Sequence, residues 1–536
     1  MLKSSWKWML PGLLVLLSGY LLWPLQTDYW DIKRNSKGED VKQEWMNQGT
    51  PASNPDSPNI LLIMADDLGM ADLALYDVNG QTTPHIDHLA SEGVKFNHAF
   101  VSSPVCSPSR ASIITGRYTQ RFGFEYQMHD RYLKNRLEFL ASRLLMKSGP
   151  WIPKWMKEVP DKEAILKQGL PPEEITLAEI LQKHGYYTGL IGKWHLGWNE
   201  DNKPCNFGFD YQYGFYQSHS LYAHEGTPGI IDQKVPADFT DKHIWKGQRD
   251  GPYAIFRNCQ EIQEREYLTD RIAQEGIDFI ERNRNDPFFL WLSFNAPHTP
   301  LQAKEEYYKR FAHIKDPVKR IYAAMIANLD DAIGSVLDKI EKLNLEENTL
   351  IFFISDNGGA EYTFTTENGP YKGGKITDFE GGVQVPFILK WKGHIPGGLT
   401  YDPMVSSMDI FHSAISAADI PLPDDRKYDG VDLLPYIKGD LKGDPHDILF
   451  WQRGYSKAVR TRHWKLLLNE DSGDTLLYDI TNDPWEAEDV MADHRTEAEK
   501  LLDMHALWSS DLADPLWPSM VHYEFRDGGK LHYFDQ

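Results

Sequence analysis

The sequence predicts an α/β protein with a central β-sheet covered by helices on both faces. A smaller C-terminal α+β subdomain carrying an antiparallel sheet follows. Short apolar runs that end in polar clusters carry the first part of this reading. PNILLIMADDLG places a strand over Ile60–Met64 and then Asp66 and Asp67, and TLIFFISDNGG places one over Leu350–Ile354 and then Asp356 and Asn357. FFLWLSFNAPHTP ends near His298, and YYTGLIGKWHLG ends at Lys193 and His195. Continuous apolar runs of this length are the pattern of strands buried on both faces. Helical patterns intervene, among them TLAEILQKHG, stopped by Gly185, and the longer amphipathic IYAAMIANLDDAIGSVLDKIEKL. In sheets built this way, ligands gather beyond the carboxyl ends of the strands, and all four polar clusters fall there. After about residue 440 the pattern changes, and AVRTRHWKLLL and TLLYDITND read as short antiparallel strands.

Taken in order, the chain opens with Lys3 and Lys7 ahead of an apolar run from Trp8 to Trp23, the layout of a secretory signal. No small-x-small cleavage site follows, so residues 1–26 read as a signal peptide or as an uncleaved signal anchor that tethers the chain to a membrane. Residues 27–57 are polar and rich in Pro and Ser, which reads as a flexible linker. The main domain then covers 58–440 and the C-terminal subdomain 441–536. Export to a periplasm or out of the cell is the expectation, and the absence of any Asn-x-Ser/Thr sequon favours the periplasm. Three cysteines do not make a disulfide scaffold; Cys205 and Cys259 could pair, leaving Cys106 as the odd one.

With 56 basic against 78 acidic residues the net charge is −22, which argues against nucleic acid as a partner. An anionic substrate would need local cations to overcome that field.

Asp66, Asp67, Asp356 and Asn357 offer oxygen ligands at two strand ends, the donor type of a Ca²⁺ or Mg²⁺ site, and no Cys/His spacing suggests zinc. His195, His298, Lys193 and Lys375 add proton donors and positive charge. Cys106 lies in SSPVCSPSRASIITGR, between two prolines and four residues ahead of Arg110. A structural cysteine sits in an apolar run, and a disulfide gains nothing from a nearby arginine.

The run CSPSRASIITGR resembles the signature of the formylglycine-dependent type I sulfatases, within the alkaline-phosphatase-like superfamily. NILLIMADDLG, GYYTGLIGKWHLG, GFDYQYGF, APHTP, SDNGG, GGKITDFEGGVQVPFILKW and AVRTRHWKLLL then follow in that family's order, so the resemblance spans about Asn59 to Asp489. It implies a large central mixed sheet flanked by helices and hydrolysis of sulfate esters, on a sulfated carbohydrate or polysaccharide. It also implies that a formylglycine-generating enzyme oxidises Cys106 to an aldehyde (3-oxoalanine) whose hydrate is the nucleophile. By the same resemblance Asp66, Asp67, Asp356 and Asn357, with modified Cys106, are the ligands of one Ca²⁺. Arg110 and Lys193 hold the hydrate, His195 is the base that drives its return to the aldehyde, and His298 and Lys375 are leaving-group acid and sulfate clamp. Asp356 is also a candidate to take the attacking hydroxyl's proton. Lys372 stands where the family usually has arginine, which puts a bidentate contact there in doubt. A phosphate or phosphonate monoester hydrolase on the same fold is the alternative, and an inactive sulfated-glycan binding protein a further one.

Residues 129–160 read as an insertion. Leu133, Leu137, Leu140 and Leu144 share one helical face, and Arg131, Lys134, Arg136, Arg143, Lys147, Lys154 and Lys157 accompany them with Trp151 and Trp155. A solvated capping helix, a rim or lid guiding a polyanion, and a membrane-surface helix are the three readings. Segments YQSHSLYAHEGTPG, with His219, Tyr222 and His224, and GAEYTFTTENGP are substrate-contact loops or plain connections.

Overall fold

The apolar runs pair because each is too hydrophobic to leave either face in water. In the computed structural model, which describes residues 6–32, 35–49, 57–77, 79–145, 149–235, 238 and 241–536, they form the centre of a ten-stranded mixed sheet. Its order is Gln260–Ile262, Ile255–Arg257, Tyr211–Phe215, Tyr187–Lys193, Phe288–Pro297, Asn59–Asp66, Thr349–Ser355, Phe387–Lys390, Val94–Phe96 and Leu399–Tyr401. The five strands from Tyr211–Phe215 to Thr349–Ser355 run parallel, so their carboxyl ends open on one edge.

Alternation along each strand sends side chains to two cores. Ile60, Leu62 and Met64 join Phe289, Trp291, Phe352 and Ile354 on one face, against helices Cys106–Thr115, Leu177–Lys183 and Asp409–Ala417. Leu61 and Ile63 join Leu290, Leu292, Ile351 and Phe353 on the other, against helices Pro84–Glu92, Leu268–Asn283 and Pro317–Lys342. Local chemistry starts these helices where the sheet needs them: Thr176 and Glu179 form a capping box, and Asp316 caps a helix whose first residue is Pro317.

The C-terminal sheet runs Ile448–Arg453, Ser456–Thr461, Trp464–Asn469 and Asp474–Asp479, all antiparallel. One face packs on helix Arg495–Ser509 through Phe450, Val459, Leu466 and Leu477. The other face, with Trp451, Ala458 and Leu467, merges into the first core of the main sheet. A buried charge cluster crosses the same boundary. Lys465 lies 2.7 Å from Glu380 and 3.5 Å from Glu486, and Arg460 lies 3.3 Å from Glu380. Arg453 reaches Asp378 at 3.2 Å and donates to the Ile376 carbonyl at 2.5 Å.

Two features differ from the simplest reading of the sequence, and the cysteine pairing agrees with it. The stretch expected as a linker holds a helix, Ser36–Asn47, docked by Lys42 at 2.6 Å from Glu179 and by hydrogen bonds of 2.8 Å to the carbonyls of Pro172 and Glu174. Residues 33–34 and 50–56 of that stretch lie outside the described residues. The insertion forms the expected helix, Arg136–Leu145, and also a strand, Trp151–Pro153, that joins the hairpin Val521–Asp527 and Lys530–Asp535. Cys205 and Cys259 are joined in a disulfide, with Cα atoms 6.7 Å apart. Closing a loop of 54 residues constrains the unfolded chain by about 4 kcal/mol in the chain-entropy account.

Candidate active site

Four parallel strands deliver the polar clusters to one edge. Asp66 ends its strand, and Asp67 turns the chain with a left-handed φ of 62°. The turn is held from three sides: the Asp67 amide donates to Asp356 Oδ1 at 3.2 Å, the Leu68 amide donates to Ser355 Oγ at 3.1 Å, and the Tyr322 hydroxyl sits 3.1 Å from the Asp67 carbonyl. On the neighbouring strand the Asp356 amide continues the ladder to Ala65, and Asn357 Nδ2 donates to Asp67 Oδ1 at 2.8 Å.

Cys106 is the first residue of helix Cys106–Thr115, and Val105 ahead of it supplies no side-chain cap. The first amides of the helix, at Cys106 and Ser107, therefore have no intrahelical acceptor. The Cys106 Sγ lies 3.6 Å from Asp66 Oδ1 and 3.9 Å from Asp67 Oδ1, and the residue is fully buried. Arg110, one turn on, shares its face. Its Nε and Nη2 both meet Asp356 Oδ2 at 2.8 Å, while Nη1 donates to Ser293 Oγ at 2.6 Å and to the Lys193 carbonyl at 3.1 Å. Glycine at 192, with φ 116°, permits this crowding, since a Cβ there would stand 1.8 Å from the Ser293 carbonyl oxygen.

Each buried acid has a cation. Lys193 Nζ is 2.6 Å from Asp66, Lys375 Nζ is 2.7 Å from Asp67, and Arg110 holds Asp356. His298 Nε2 is 3.6 Å from Asp67 Oδ2, and its Nδ1 is bound to the Thr299 carbonyl. His195, buried and left-handed at φ 55°, has an Nδ1 with no partner among the described residues. All ten positions singled out in the sequence as catalytic or metal-ligating thus meet beyond one sheet edge.

The balance of burial and charge sets protonation. Burial, reinforced by Asp356, pushes the Asp66 carboxyl up to about 7 against the pull of Lys193 and Arg110. Burial also acts on Asp67 and Asp356, but Lys375 with His298, and Arg110 with Lys193, overcome it and hold both below the usual carboxylate range. Burial first, then Asp356, drives the Cys106 thiol far above its ordinary value, so an unmodified thiol here stays protonated and is a poor nucleophile. Burial, with Lys193 and Arg110 nearby, keeps His195 neutral, and burial lowers His298 to about 3.

Asn357 Oδ1 is buried with no hydrogen-bond partner among the described residues, which leaves it open to a ligand. Asp66, Asp67, Cys106 and His298 each present a ligand atom, all within 4.8 Å of one another. Buried carboxylate and amide oxygens fit a hard divalent cation.

One contributor escapes sequence reasoning. Ser293 is one polar residue inside an apolar strand, and that interruption is its signal. The Tyr222 hydroxyl braces the carbonyls of Asn295 and His298 at 2.5 and 2.8 Å, so its loop positions the site. His219 stacks on Tyr253, and His224 contributes its carbonyl to Thr227. Trp151 of the insertion packs edge-on against Tyr362, 5.2 Å between ring centres. Lys372 pairs with Asp527 at 2.8 Å and does not join Arg110, Lys193 and Lys375.

The sulfatase family model matches residues 58–420. The chain is 32% identical over 412 residues to N-acetylgalactosamine-6-sulfatase of Mus musculus, covering 75% of this chain and 70% of that protein. It is 31% identical over 462 residues to steryl-sulfatase of Homo sapiens, covering 75% and 73%. The crystal structure of Ps i-CgsB, also solved with k-i-k-neocarrahexaose, superposes with a TM-score of 0.70 at 30% identity, over 86% of this chain and 94% of that one. An α/β sheet with this edge and these relatives places the chain in the sulfatase family. It is a sulfatase, an enzyme that hydrolyses sulfate esters.

Proposed function

We propose that this sulfatase is exported and acts on a sulfated carbohydrate, using an aldehyde made from Cys106 and one Ca²⁺. The carbohydrate class is supported by the sugar in the name of N-acetylgalactosamine-6-sulfatase and the oligosaccharide bound to Ps i-CgsB. Export to a periplasm or beyond is supported by the apolar segment near the N-terminus and by the Cys205–Cys259 disulfide, which persists in oxidising compartments.

The observation that carries the reading is the placement of Cys106. A thiol held neutral by burial is unsuited to attack sulfur, yet it stands where oxygen donors, three cations and the open end of a helix converge. A formylglycine-generating enzyme acting before folding is the partner in this reading, supported by the full burial of the Cys106 side chain in the folded chain. The aldehyde hydrate supplies a hydroxyl nucleophile and a route to expel sulfate by returning to the carbonyl. Bound Ca²⁺, held by Asp66, Asp67, Asp356 and Asn357, supplies charge compensation for a sulfate oxygen.

The residues of the chain do the rest. Arg110 and Lys193 fix the carboxylates and leave positive charge facing the nucleophile. Lys375 presents the charge that clamps the sulfate. Neutral His195 is free to accept a proton at Nδ1 as the hydrate collapses. His298, neutral at rest, takes up its proton only as the anionic ester enters, and then serves the leaving oxygen. Preorganised cations of this kind are worth about 100- to 1,000-fold each in turnover.

Mass spectrometry of the tryptic peptide spanning 96–110, from protein made in its own host, tests this directly. The expected peptide has lost sulfur and two hydrogens and gained oxygen at Cys106. An intact thiol in protein that still releases sulfate would overturn the proposal. Comparing sulfate with phosphate release from paired aryl esters separates the reading from a phosphoester hydrolase.

A further inference from the structure

We propose that the insertion is a seat for an anionic lipid surface: helix Arg136–Leu145 lies in the bilayer interface beside helix Trp6–Leu22. The inference does not depend on the sulfatase chemistry. It rests on an apolar surface left uncovered where buried packing was available. Leu137, Leu140 and Leu144 are 46%, 37% and 76% exposed, although they share one face of a strongly amphipathic helix. The opposite side of that helix is the one that packs, with Phe139 buried edge-on against Trp155 at 4.7 Å. Trp155 is itself 50% exposed. A solvated capping helix would turn its leucines to the core.

The second element lies against the first. The Leu25 amide donates to the Lys134 carbonyl at 2.9 Å, Pro24 bridges to Asn135, and the Arg136 guanidinium lies 4.3 Å from the Tyr20 ring centre and donates to the Tyr20 carbonyl at 3.2 Å. In helix Trp6–Leu22, Leu13 to Leu17 are likewise uncovered, between 50% and 74% exposed, and Trp23 just beyond it is at 68%. Exposed apolar side chains gathered from two distant stretches of sequence are the kind of surface that marks a protein or membrane interaction site. No described helix is long and apolar enough to cross a membrane, and the seat proposed is one that lies in the interface.

Charge selects the occupant. In a chain of net charge −22, residues 129–160 carry seven basic side chains against three acidic ones. Arg131, Lys134, Arg143 and Lys157 are exposed, while Lys154 is turned inward to Asp535. Although Arg131 pairs with Glu138, exposed leucines and tryptophans on a segment with exposed Lys134, Arg143 and Lys157 match the boundary between acyl chains and anionic headgroups. A second copy of the chain would bring the same cations against themselves.

Flotation of the full-length chain with vesicles of phosphatidylcholine alone, or with phosphatidylglycerol added, reads the proposal. The wild type should float with the anionic vesicles, and L137E/L140E/L144E should lower its partitioning by about tenfold or more. Hydrolysis of a small aryl sulfate, used as the folding control, should stay unchanged. If that variant does not fold, R131E/K134E/R143E/K157E decides, and it should abolish the preference for anionic vesicles. Equal flotation of wild type and folded variants overturns the proposal. So does a wild type that ignores vesicles and sediments as a dimer. A charge-reversed variant whose only defect is a raised KM for a sulfated polymer would assign the face to substrate instead.

Discussion

Replacing Lys465 by Met tests whether the C-terminal sheet holds the Lys375–Glu380 loop by charge. Lys465 and Arg460 face Glu380 and Glu486, all at most 2% exposed at the side chain. Glu380 also receives order from its neighbour, since its amide donates to Glu486 Oε2 at 2.8 Å. The cluster holds two acids and two cations, so removing one cation leaves two buried carboxylates with a single guanidinium. Stripping one partner from a buried ion pair costs about 3–5 kcal/mol, mostly for the charge left behind. The relief is predictable too. Burial already pushes Glu486 up to about 7 in spite of Lys465, so it is the carboxylate that sheds its charge most readily. Lys465→Met should therefore lose about 3–5 kcal/mol, read by urea unfolding at pH 8, and adding Glu486→Gln should recover more than half of it. A single variant that loses under about 1 kcal/mol, or a double variant that simply sums two losses, would refute the reasoning.

Arg110→Lys should lower kcat by about 100- to 1,000-fold with the fold intact, because an ammonium cannot span Asp356, Ser293 and the Lys193 carbonyl at once; normal turnover by the variant would contradict this. Chelation should lower both kcat and Tm, and added Ca²⁺ should restore both in the wild type but not in Asn357→Leu, as measured by sulfate release and calorimetry. His446 offers a pH test away from the site. Burial opposes its charge, but Asp409 at 2.8 Å overrides it and raises the imidazole pKa. A raised pKa contributes stability that is complete below about pH 6.5 and fades as pH climbs through the folded value. The Tm gap between wild type and His446→Gln should therefore be wide at pH 6 and narrow by pH 9; a gap that widens with pH would reverse the assignment.

The polar sheet edge is legible because strands such as Ile60–Met64 are apolar throughout, and so can end only where Asp66 and Asp67 meet a different environment. The parallel run of those strands then obliges their ends to converge. The docked helix Ser36–Asn47 was not legible, because it is polar nearly all round and its place depends on Lys42 finding Glu179 across the fold. Trp151–Pro153 pairs with Val521–Tyr523, a partner far along the chain that no local alternation announces. Lys372 looked like a weakened catalytic contact; its neighbour in space, Asp527, comes from the C-terminal hairpin and gives it a different task.

The merger of the small sheet with the main core has a practical consequence. Ile376, a β-branched residue next to Lys375, is held at φ 81°, a conformation it would leave if released, and the restraint on its carbonyl comes from Arg453. A minimal enzyme made by truncating near residue 440 would therefore lose the brace beside Lys375, the partner of Asp67, along with part of its hydrophobic interior. Any chimera that exchanges the tail for that of a relative must carry Arg453, Arg460 and Lys465 across with it.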